Sequence, residues 1–267
     1  MQEAADAADA ALLPFPPPTR ARLATLVGGE PHLALLDLHA GYGKMEVLHG
    51  IDLLVGRGQS LCIIGPNGSG KSTVLNALFG LADVLAGELR VAGRDVRGAS
   101  SAAMLMEAKV AYVLQNSSVF PDMTVEENLL MGGHRLGSRR AAAQAVERIL
   151  DAHPRLAERR REPAGALSGG ERRMLELSRA LITDPAILLV DEPSIGLEPR
   201  TIDAVFAMLD RLQRTEGRTI VMVEQNAKMG LDFADLGYVL VAGRLALADR
   251  ARAVRENPEV ARLFLGG

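Results

Sequence analysis

The sequence contains a single cysteine, Cys62, so no disulfide can form within the chain. The lack of a disulfide framework suits a reducing compartment. Cys62 lies in an apolar run, and we interpret it as a small buried hydrophobic residue rather than as a reactive thiol or a metal ligand.

Long apolar runs, a secretory signal and an excess of positive charge are also missing. No apolar stretch approaches the length that a membrane-spanning helix needs. The N-terminus has neither the basic start nor the apolar middle of a signal peptide. The 30 Lys and Arg residues are balanced by 33 Asp and Glu, which gives no electrostatic basis for binding nucleic acid. These absences predict a soluble or peripheral protein without a nucleic-acid partner.

The length and composition fit a globular protein with an N-terminal tail. A chain of 267 residues, 48% of them hydrophobic, can form one large domain or a core domain with an inserted subdomain. Residues 1–32 begin alanine-rich and acidic and continue with a proline-rich run. We therefore predict a disordered extension over residues 1–32 and a folded domain over residues 33–267.

Apolar and polar patterning predicts an α/β fold. We expect strands at residues 33–38, 47–55, 88–91, 110–114, 187–190, 220–223 and 238–241. The strand at 88–91 is expected to pair antiparallel with the first two. Residues 124–161 have a helical composition, and a further helix begins near Ser168. The later strands alternate with helices, which predicts a parallel sheet with crossover helices.

One stretch of nine residues matches the Walker A phosphate-binding loop, G-x-x-x-x-G-K-[ST]. It consists of Gly65, Pro66, Asn67, Gly68, Ser69, Gly70, Lys71, Ser72 and Thr73. An apolar strand precedes it and a helical pattern follows, as this motif requires. In such loops the backbone N–H groups surround phosphate oxygens, the lysine reaches the β- and γ-phosphates, and the hydroxyl that follows ligates Mg²⁺. The stretch predicts a nucleotide site with Lys71 and Ser72 in these two roles.

Two acidic residues, Asp191 and Glu192, directly follow the apolar strand at 187–190. This is the Walker B arrangement, in which the first carboxylate holds Mg²⁺ and the second can deprotonate the attacking water. Without the phosphate loop, a solvated acidic pair at a strand end would explain these residues equally well. With it, we assign Asp191 to the metal and Glu192 to catalysis.

A second glycine-containing helix start occurs at Ser168, Gly169 and Gly170. Backbone N–H groups at such a start can bind an anion. A simple capping turn uses the same residue types and is the structural alternative.

The run from Leu167 to Glu171, found together with the phosphate loop, resembles the signature of the ATP-binding cassette (ABC) ATPases, which usually reads LSGGQ and here ends in Glu171. The resemblance covers residues 33–267. It implies an α/β P-loop NTPase core with a mixed parallel sheet, an antiparallel β subdomain and an α-helical subdomain inserted at about residues 116–166. It also implies hydrolysis of ATP, with Mg²⁺ as cofactor, to drive transport.

The resemblance assigns further residues to the site. Tyr42 matches the aromatic residue that stacks on adenine, although a buried core tyrosine is the alternative. Gln115 matches the glutamine that touches Mg²⁺ and the attacking water, although a solvated glutamine at a strand end is the alternative. Two such cassettes pack head to tail in this family. Ser168, Gly169 and Gly170 would then cover the ATP that a partner cassette holds.

Residue 225, where the family has a histidine that contacts the γ-phosphate, is glutamine here. Gln225 can donate a hydrogen bond to phosphate but cannot carry positive charge. The run Val223-Glu224-Gln225-Asn226, with the Leu-Ser-Gly-Gly-Glu signature, looks like one ATPase subunit of the branched-chain amino-acid importers. That resemblance implies membrane permease subunits, a second ATPase subunit and, indirectly, a solute-binding protein as partners, at the cytoplasmic face of the inner membrane.

Other functions within the family are compatible with parts of the sequence. Importers of urea and short amides use similar ATPase subunits. Exporters of the lipopolysaccharide type can share the signature, but Gln225 disfavours them. ABC proteins of DNA repair or translation usually carry long insertions or two cassettes, which this chain lacks. The sequence leaves open whether the dimer is homomeric or mixed.

Overall fold

A computed structural model describes residues 16–115 and 118–264 of the chain. Its first sheet contains β1 (Pro31–Tyr42), β2 (Met45–Gly56), β4 (Asp83–Val91) and β5 (Arg94–Asp95), in the order β2-β1-β4-β5. Both β2 and β4 run antiparallel to β1. This confirms the predicted antiparallel subdomain.

The second sheet is mixed and has the order β10-β9-β3-β8-β7-β6. Its strands are β3 (Ser60–Ile64), β6 (Val110–Val113), β7 (Ile187–Asp191), β8 (Thr219–Val223), β9 (Leu236–Val241) and β10 (Arg244–Arg250). The five strands from β9 to β6 are parallel, and β10 joins the edge antiparallel to β9. The expected mixed parallel sheet is therefore present.

The parallel sheet is covered on both faces, and β3 shows why its sequence is apolar throughout. Leu61 and Ile63 belong to a core shared with the antiparallel sheet. Cys62 and Ile64 belong to the opposite core, which is closed by helices. Cys62 is fully buried, and burial raises the pKa of its thiol, so the interpretation of this residue as a buried hydrophobic one is confirmed.

Eleven α-helices occur within the described residues, and no helix there is long and apolar enough to cross a membrane. They are α1 (Arg20–Val27), α2 (Lys71–Phe79), α3 (Ser101–Met106), α4 (Val125–Gly132), α5 (Arg139–Ala152), α6 (Pro154–Glu158), α7 (Gly169–Leu181), α8 (Pro199–Asp210), α9 (Ala227–Phe233), α10 (Ala251–Glu256) and α11 (Pro258–Phe264). The α7 helix links the parallel sheet to the region rich in helices.

Helices α4, α5 and α6 lie within the stretch predicted as an inserted subdomain and have a core of their own. Leu129, Val146 and Leu156 pack there with Leu175 and Ile182 from α7 and the residue after it. The buried residues of α5 recur at helical spacing, which orients one face toward this core. Positions 116 and 117, at the predicted start of the insertion, lie outside the described residues.

The predicted disordered extension is wrong for its C-terminal part. Helix α1 is ordered, with Thr19 as its N-cap, and it buries Leu23 and Leu26 completely or nearly so. Arg22 pairs with Asp249 of β10 at 2.7 Å. This helix is hard to predict from sequence because only two leucines, one turn apart, attach it to the core. Residues 1–15 of the predicted extension lie outside the described residues.

Candidate active site

The phosphate loop connects β3 to α2 at the carboxyl edge of the parallel sheet. Gly65 has a φ of 155°, and a Cβ there would lie 2.1 Å from the carbonyl oxygen of Leu240. Only glycine therefore allows the loop to leave β3 so close to β9. The rest of the loop, from Pro66 to Gly70, leads into the first turn of α2, which begins at Lys71.

Lys71 is folded back over this loop. Its Nζ donates to the carbonyl oxygens of Gly65 at 2.9 Å and Pro66 at 3.0 Å, and the residue is 7% exposed. Burial lowers the pKa of the Lys71 ammonium, while the carboxylates of Glu192 and Asp191 act in the opposite direction. The loop thus holds a buried cation that can pair with phosphate oxygens in place of these carbonyl oxygens.

Asp191, the last residue of β7, receives two hydroxyl hydrogen bonds. Ser72 Oγ donates to its Oδ1 at 3.3 Å, and the Tyr112 hydroxyl donates to its Oδ2 at 3.1 Å. Burial raises the pKa of Asp191, and both hydrogen bonds oppose that shift. The sequence predicted that Ser72 and Asp191 would share a metal, and the structure brings them together.

Tyr112 was missed by the sequence reasoning. It lies on β6, where its backbone is paired with Leu189 of β7, two residues before Asp191. The sequence does contain a signal for this contact, because Tyr112 is a polar residue inside an otherwise apolar strand. Burial raises the pKa of the Tyr112 phenol, so the side chain stays a donor to Asp191.

Glu192 and Gln115 are in direct contact. Gln115 Nε2 donates to Glu192 Oε2 at 2.7 Å, although the two residues are 77 positions apart. Glu192 has a φ of 44°, in the left-handed region, and its N–H donates to the carbonyl oxygen of Val223 at 2.9 Å. Residues other than glycine rarely adopt this backbone conformation, and here the hydrogen bond to β8 holds Glu192 in it.

Gln225 is exposed and lies just beyond the end of β8, which is the neighbour of both β7 and β3. In the register of this sheet, Asp191 is paired with Val223, two residues before Gln225. The parallel topology therefore brings the switch position to the same edge as the phosphate loop and Glu192.

Tyr42 ends β1 and stands beside the helix that follows the phosphate loop. It is 40% exposed, and its hydroxyl accepts a hydrogen bond from Asn76 Nδ2 of α2 at 2.7 Å. The alternative of a buried core tyrosine is wrong for this residue. An exposed ring at this place can stack on a planar base.

The signature residues form the start of α7 and make no hydrogen bond to the phosphate loop in the parts of the chain that the structure describes. Ser168 and Glu171 form a complete capping box, in which Glu171 Oε2 accepts from the Ser168 N–H at 2.9 Å and from its hydroxyl at 2.8 Å. The capping-turn alternative is thus present as well. A Cβ on Gly169 would meet no atom within 4 Å, whereas one on Gly170 would lie 2.5 Å from Thr201 Cγ2. Gly170 is needed for packing within the chain, and Gly169 faces outward.

Arg173 connects the signature helix to the catalytic edge and was also missed. It is 6% exposed and donates to the carbonyl oxygens of Leu114 at 2.9 Å and Asp191 at 3.0 Å, and to Glu176 Oε2 at 2.9 Å. The only signal in the sequence was an arginine three residues before a glutamate in a predicted helix, a spacing that exposed ion pairs also show.

One edge of the sheet therefore combines a phosphate-binding loop with a cation, a carboxylate bonded to a hydroxyl, and a second carboxylate oriented by an amide. These are the groups that phosphoryl transfer needs for binding the phosphates and activating water. The signature stretch makes no hydrogen bond to that loop within the described residues. The arrangement can thus bind a nucleotide at one place and present a second anion-binding surface at another.

Comparisons with known proteins agree with this geometry. Residues 48–195 match the model of the ABC transporter family. The chain is 41% identical over 226 residues to the high-affinity branched-chain amino acid transport ATP-binding protein BraG of Pseudomonas aeruginosa, covering 85% of this chain and 96% of the relative. It is 33% identical to the probable branched-chain amino acid transport ATP-binding protein LivF of Archaeoglobus fulgidus, over 88% of this chain and 98% of that protein.

A solved structure shows the same fold. The ATP-binding cassette of an ABC transporter in its ADP conformation superposes with a TM-score of 0.78 at 28% identity, covering 90% of this chain and all of that one. This protein is an ATP-binding and ATP-hydrolysing subunit of the ABC transporter family.

Proposed function

We propose that this chain powers the uptake of branched-chain amino acids by an ABC importer. The observation that carries the proposal is the combination of Gln225 in the switch position with full-length similarity to ATP-binding proteins named for branched-chain amino acid transport. Its partners would be membrane permease subunits at the cytoplasmic face of the inner membrane, a second ATPase subunit and, indirectly, a solute-binding protein.

In this proposal the nucleotide is bound mainly by residues 65–73. Lys71 leaves the two carbonyl oxygens and pairs with the β- and γ-phosphates, while the exposed ring of Tyr42 stacks on adenine. Ser168, Gly169 and Gly170 bind the γ-phosphate of ATP held by the partner cassette. The open space beside Gly169 supports this role, since a phosphate can approach the backbone there.

Mg²⁺ fits the donor set at the edge of β7. Ser72 and Asp191 already bring a hydroxyl and a carboxylate oxygen within 3.3 Å of each other, and hard oxygen donors are what Mg²⁺ prefers. Ser72, Asp191 and the amide oxygen of Gln115 would hold the ion. When bound, it neutralises charge on the phosphate oxygens.

Glu192 is the proposed base. A water molecule attacks the γ-phosphorus, the bond to the bridging oxygen of ADP breaks, and the Glu192 carboxylate accepts the water proton. Gln115 fixes the carboxylate through its 2.7 Å hydrogen bond. Gln225 donates a hydrogen bond to the γ-phosphate without adding charge.

The permease is proposed to dock beside Gln115. A cavity of about 320 Å³ is lined by residues of β6, α4 and α7, such as Val113 and Met131, and by Ser118, which follows Gln115 closely in sequence. Leu114 and Phe120 are 41% and 44% exposed next to it. An apolar surface of this kind, adjoining Gln115, suits a helix that transmits motion between permease and ATPase.

Replacing Glu192 by Gln tests the catalytic part of the proposal. The amide cannot accept the proton, so hydrolysis should fall at least about 100-fold while ATP binding is retained. Glu107→Gln, at an exposed position after α3, is the matched control and should change neither quantity. Full turnover by Glu192→Gln would remove Glu192 from its assigned role.

The transported solute is tested in liposomes that contain the chain with its permease, its second ATPase and its binding protein. Leucine, isoleucine or valine should stimulate ATP hydrolysis and accumulate inside, and the complex carrying Glu192→Gln should do neither. Stimulation by urea or a short amide instead would contradict the solute assignment while leaving the ATPase assignment intact.

A further inference from the structure

Glu224 is a buried acidic residue directly before the switch position, and none of the catalytic steps above uses it. It is 2% exposed, at the carboxyl end of β8. A buried carboxyl group is costly unless it is hydrogen-bonded, so its partners indicate what it does.

The Glu224 side chain joins two separate segments of the site. Its Oε1 accepts from Ser194 Oγ at 2.6 Å, across 30 positions of sequence, and from the backbone N–H of Asn226 at 3.1 Å. Ser194 lies two residues after Glu192 and begins the turn that leads to α8. One oxygen atom therefore connects the segment after β7 with the segment after β8.

The backbone on both sides of Gln225 is fixed as a result. The N–H of Glu224 faces the carbonyl oxygen of Ile63, the next-to-last residue of β3, at 3.4 Å. Asn226 caps α9 by accepting from the Met229 N–H at 3.2 Å. Gln225 is exposed between these two anchored residues, so the position of its backbone is restricted from both sides.

We infer that Glu224 is a positioning residue that holds Gln225 next to Glu192 and couples it to the turn beginning at Ser194. The inference rests on the roles proposed above for Glu192 and Gln225. Burial and the charge of Glu192 raise the pKa of the Glu224 carboxyl, which agrees with its placement among these groups. Movement of the Ser194 turn would shift Gln225 relative to the γ-phosphate.

Gln225 needs such positioning because its neutral side chain is not attracted to the phosphate by charge. A protonated histidine is attracted over several ångströms, whereas an amide contributes only when its hydrogen-bond geometry is correct. Restricting the backbone of residues 224–226 supplies that geometry in advance. Glu224 thus makes a neutral residue usable at this position.

Ser194→Ala tests the inference by removing the hydroxyl donor while leaving the Glu224 side chain in place. In the full chain we expect kcat for ATP hydrolysis to fall by about tenfold and KM for ATP to stay within about twofold, because binding uses other residues. Glu224→Ala should have the same effect, and the double variant should be no worse than either single one. Glu224→Gln keeps the acceptor oxygen and should restore kcat to within about twofold of the unmodified chain.

Ser178→Ala is the matched control, because Ser178 is a buried serine of α7 whose hydroxyl has no hydrogen-bond partner within the described residues. It should leave kcat unchanged. A folded Ser194→Ala variant with unchanged kcat, or additive effects of Ser194→Ala and Glu224→Ala, would overturn the inference. Turnover by Glu192→Gln would instead count against the proposed base, so the two failures are distinguishable.

Discussion

The phosphate-loop end of the site and the signature end are held in place by different means. Residues 65–73, Asp191, Glu192 and Gln225 all lie at or just beyond the carboxyl ends of strands in one parallel sheet whose two faces are buried. Ser168, Gly169 and Gly170 instead begin a helix and are fixed by a local capping box. Parallel pairing makes the first group one rigid unit, whereas the second depends on how α7 packs.

Hydrogen bonds of two residues on α7 connect the signature end with the phosphate-loop end. Arg173 reaches from α7 to the backbone of Asp191 and Leu114, and Glu176 accepts from the Ser118 N–H at 2.9 Å. These bonds tie α7 to Leu114, to Ser118 and to the last residue of β7. Arg173 and Glu176 therefore connect the signature helix with the Walker B strand.

The largest loss of stability is expected from Arg173→Met, which removes the hydrogen bonds of Arg173 that connect the two ends. It leaves Glu176 buried without its cation, and breaking a buried pair in this way lowers the free energy of unfolding by about 3 kcal/mol. Urea denaturation measures the loss. Arg172→Met, at the neighbouring half-buried position, should change stability by less than about 0.5 kcal/mol. Equal effects of the two substitutions would show that Arg173 does not link the ends.

A smaller change in unfolding free energy is expected for two equivalent helix caps, and ATP hydrolysis should distinguish between them. Thr124 of α4 and Ser168 of α7 each form a full capping box with the glutamate three residues later. Ser168→Ala and Thr124→Ala should each cost about 1 kcal/mol in unfolding free energy. Only Ser168→Ala should reduce ATP hydrolysis, by at least about tenfold, because its hydroxyl also faces the partner's nucleotide in the proposed dimer. Equal hydrolysis rates in the two variants would show that Ser168 acts only as a helix cap.

The smallest effect concerns the glutamate that replaces glutamine in the signature. Hydrogen bonds from the Ser168 backbone and hydroxyl, with the charge of Arg159, lower the pKa of Glu171. Its carboxylate therefore stabilises the fold above the usual unfolded pKa of about 4.3, and this contribution disappears as the pH falls through the lower folded pKa.

Glu171→Gln should accordingly cost about 0.5 kcal/mol at pH 7. Its deficit relative to the unmodified chain should begin to shrink in unfolding measurements as the pH falls below about 4.3, and it should vanish once the pH is below the folded pKa of Glu171. Glu127→Gln provides the comparison, because Glu127 occupies the same place in the α4 cap without an arginine ion pair among the described residues. A deficit of Glu171→Gln that does not change with pH would argue against the charge of Glu171 as its source.

The motifs of the site and the strands of the parallel sheet could be predicted from short stretches of sequence. The phosphate loop, the acidic pair after β7 and the signature were identified because each motif carries its own chemistry within a few residues. The strands of the parallel sheet were found because strands covered on both faces must be apolar throughout. Helix α1 was not found, because its burial depends on a surface formed by β2 and β10 rather than on its own composition.

The sequence by itself determined that the chain binds nucleotide and predicted which side chains face the phosphates, since both follow from the order of residues in one loop. Only the tertiary structure decided that Tyr112 bonds to Asp191, that Arg173 joins α7 to β7, and that Glu224 bonds to Ser194. These partners are separated by 79, 18 and 30 positions. A polar residue within an apolar strand or helix shows in sequence that a partner must exist, but only the packing of neighbouring elements selects which partner that is.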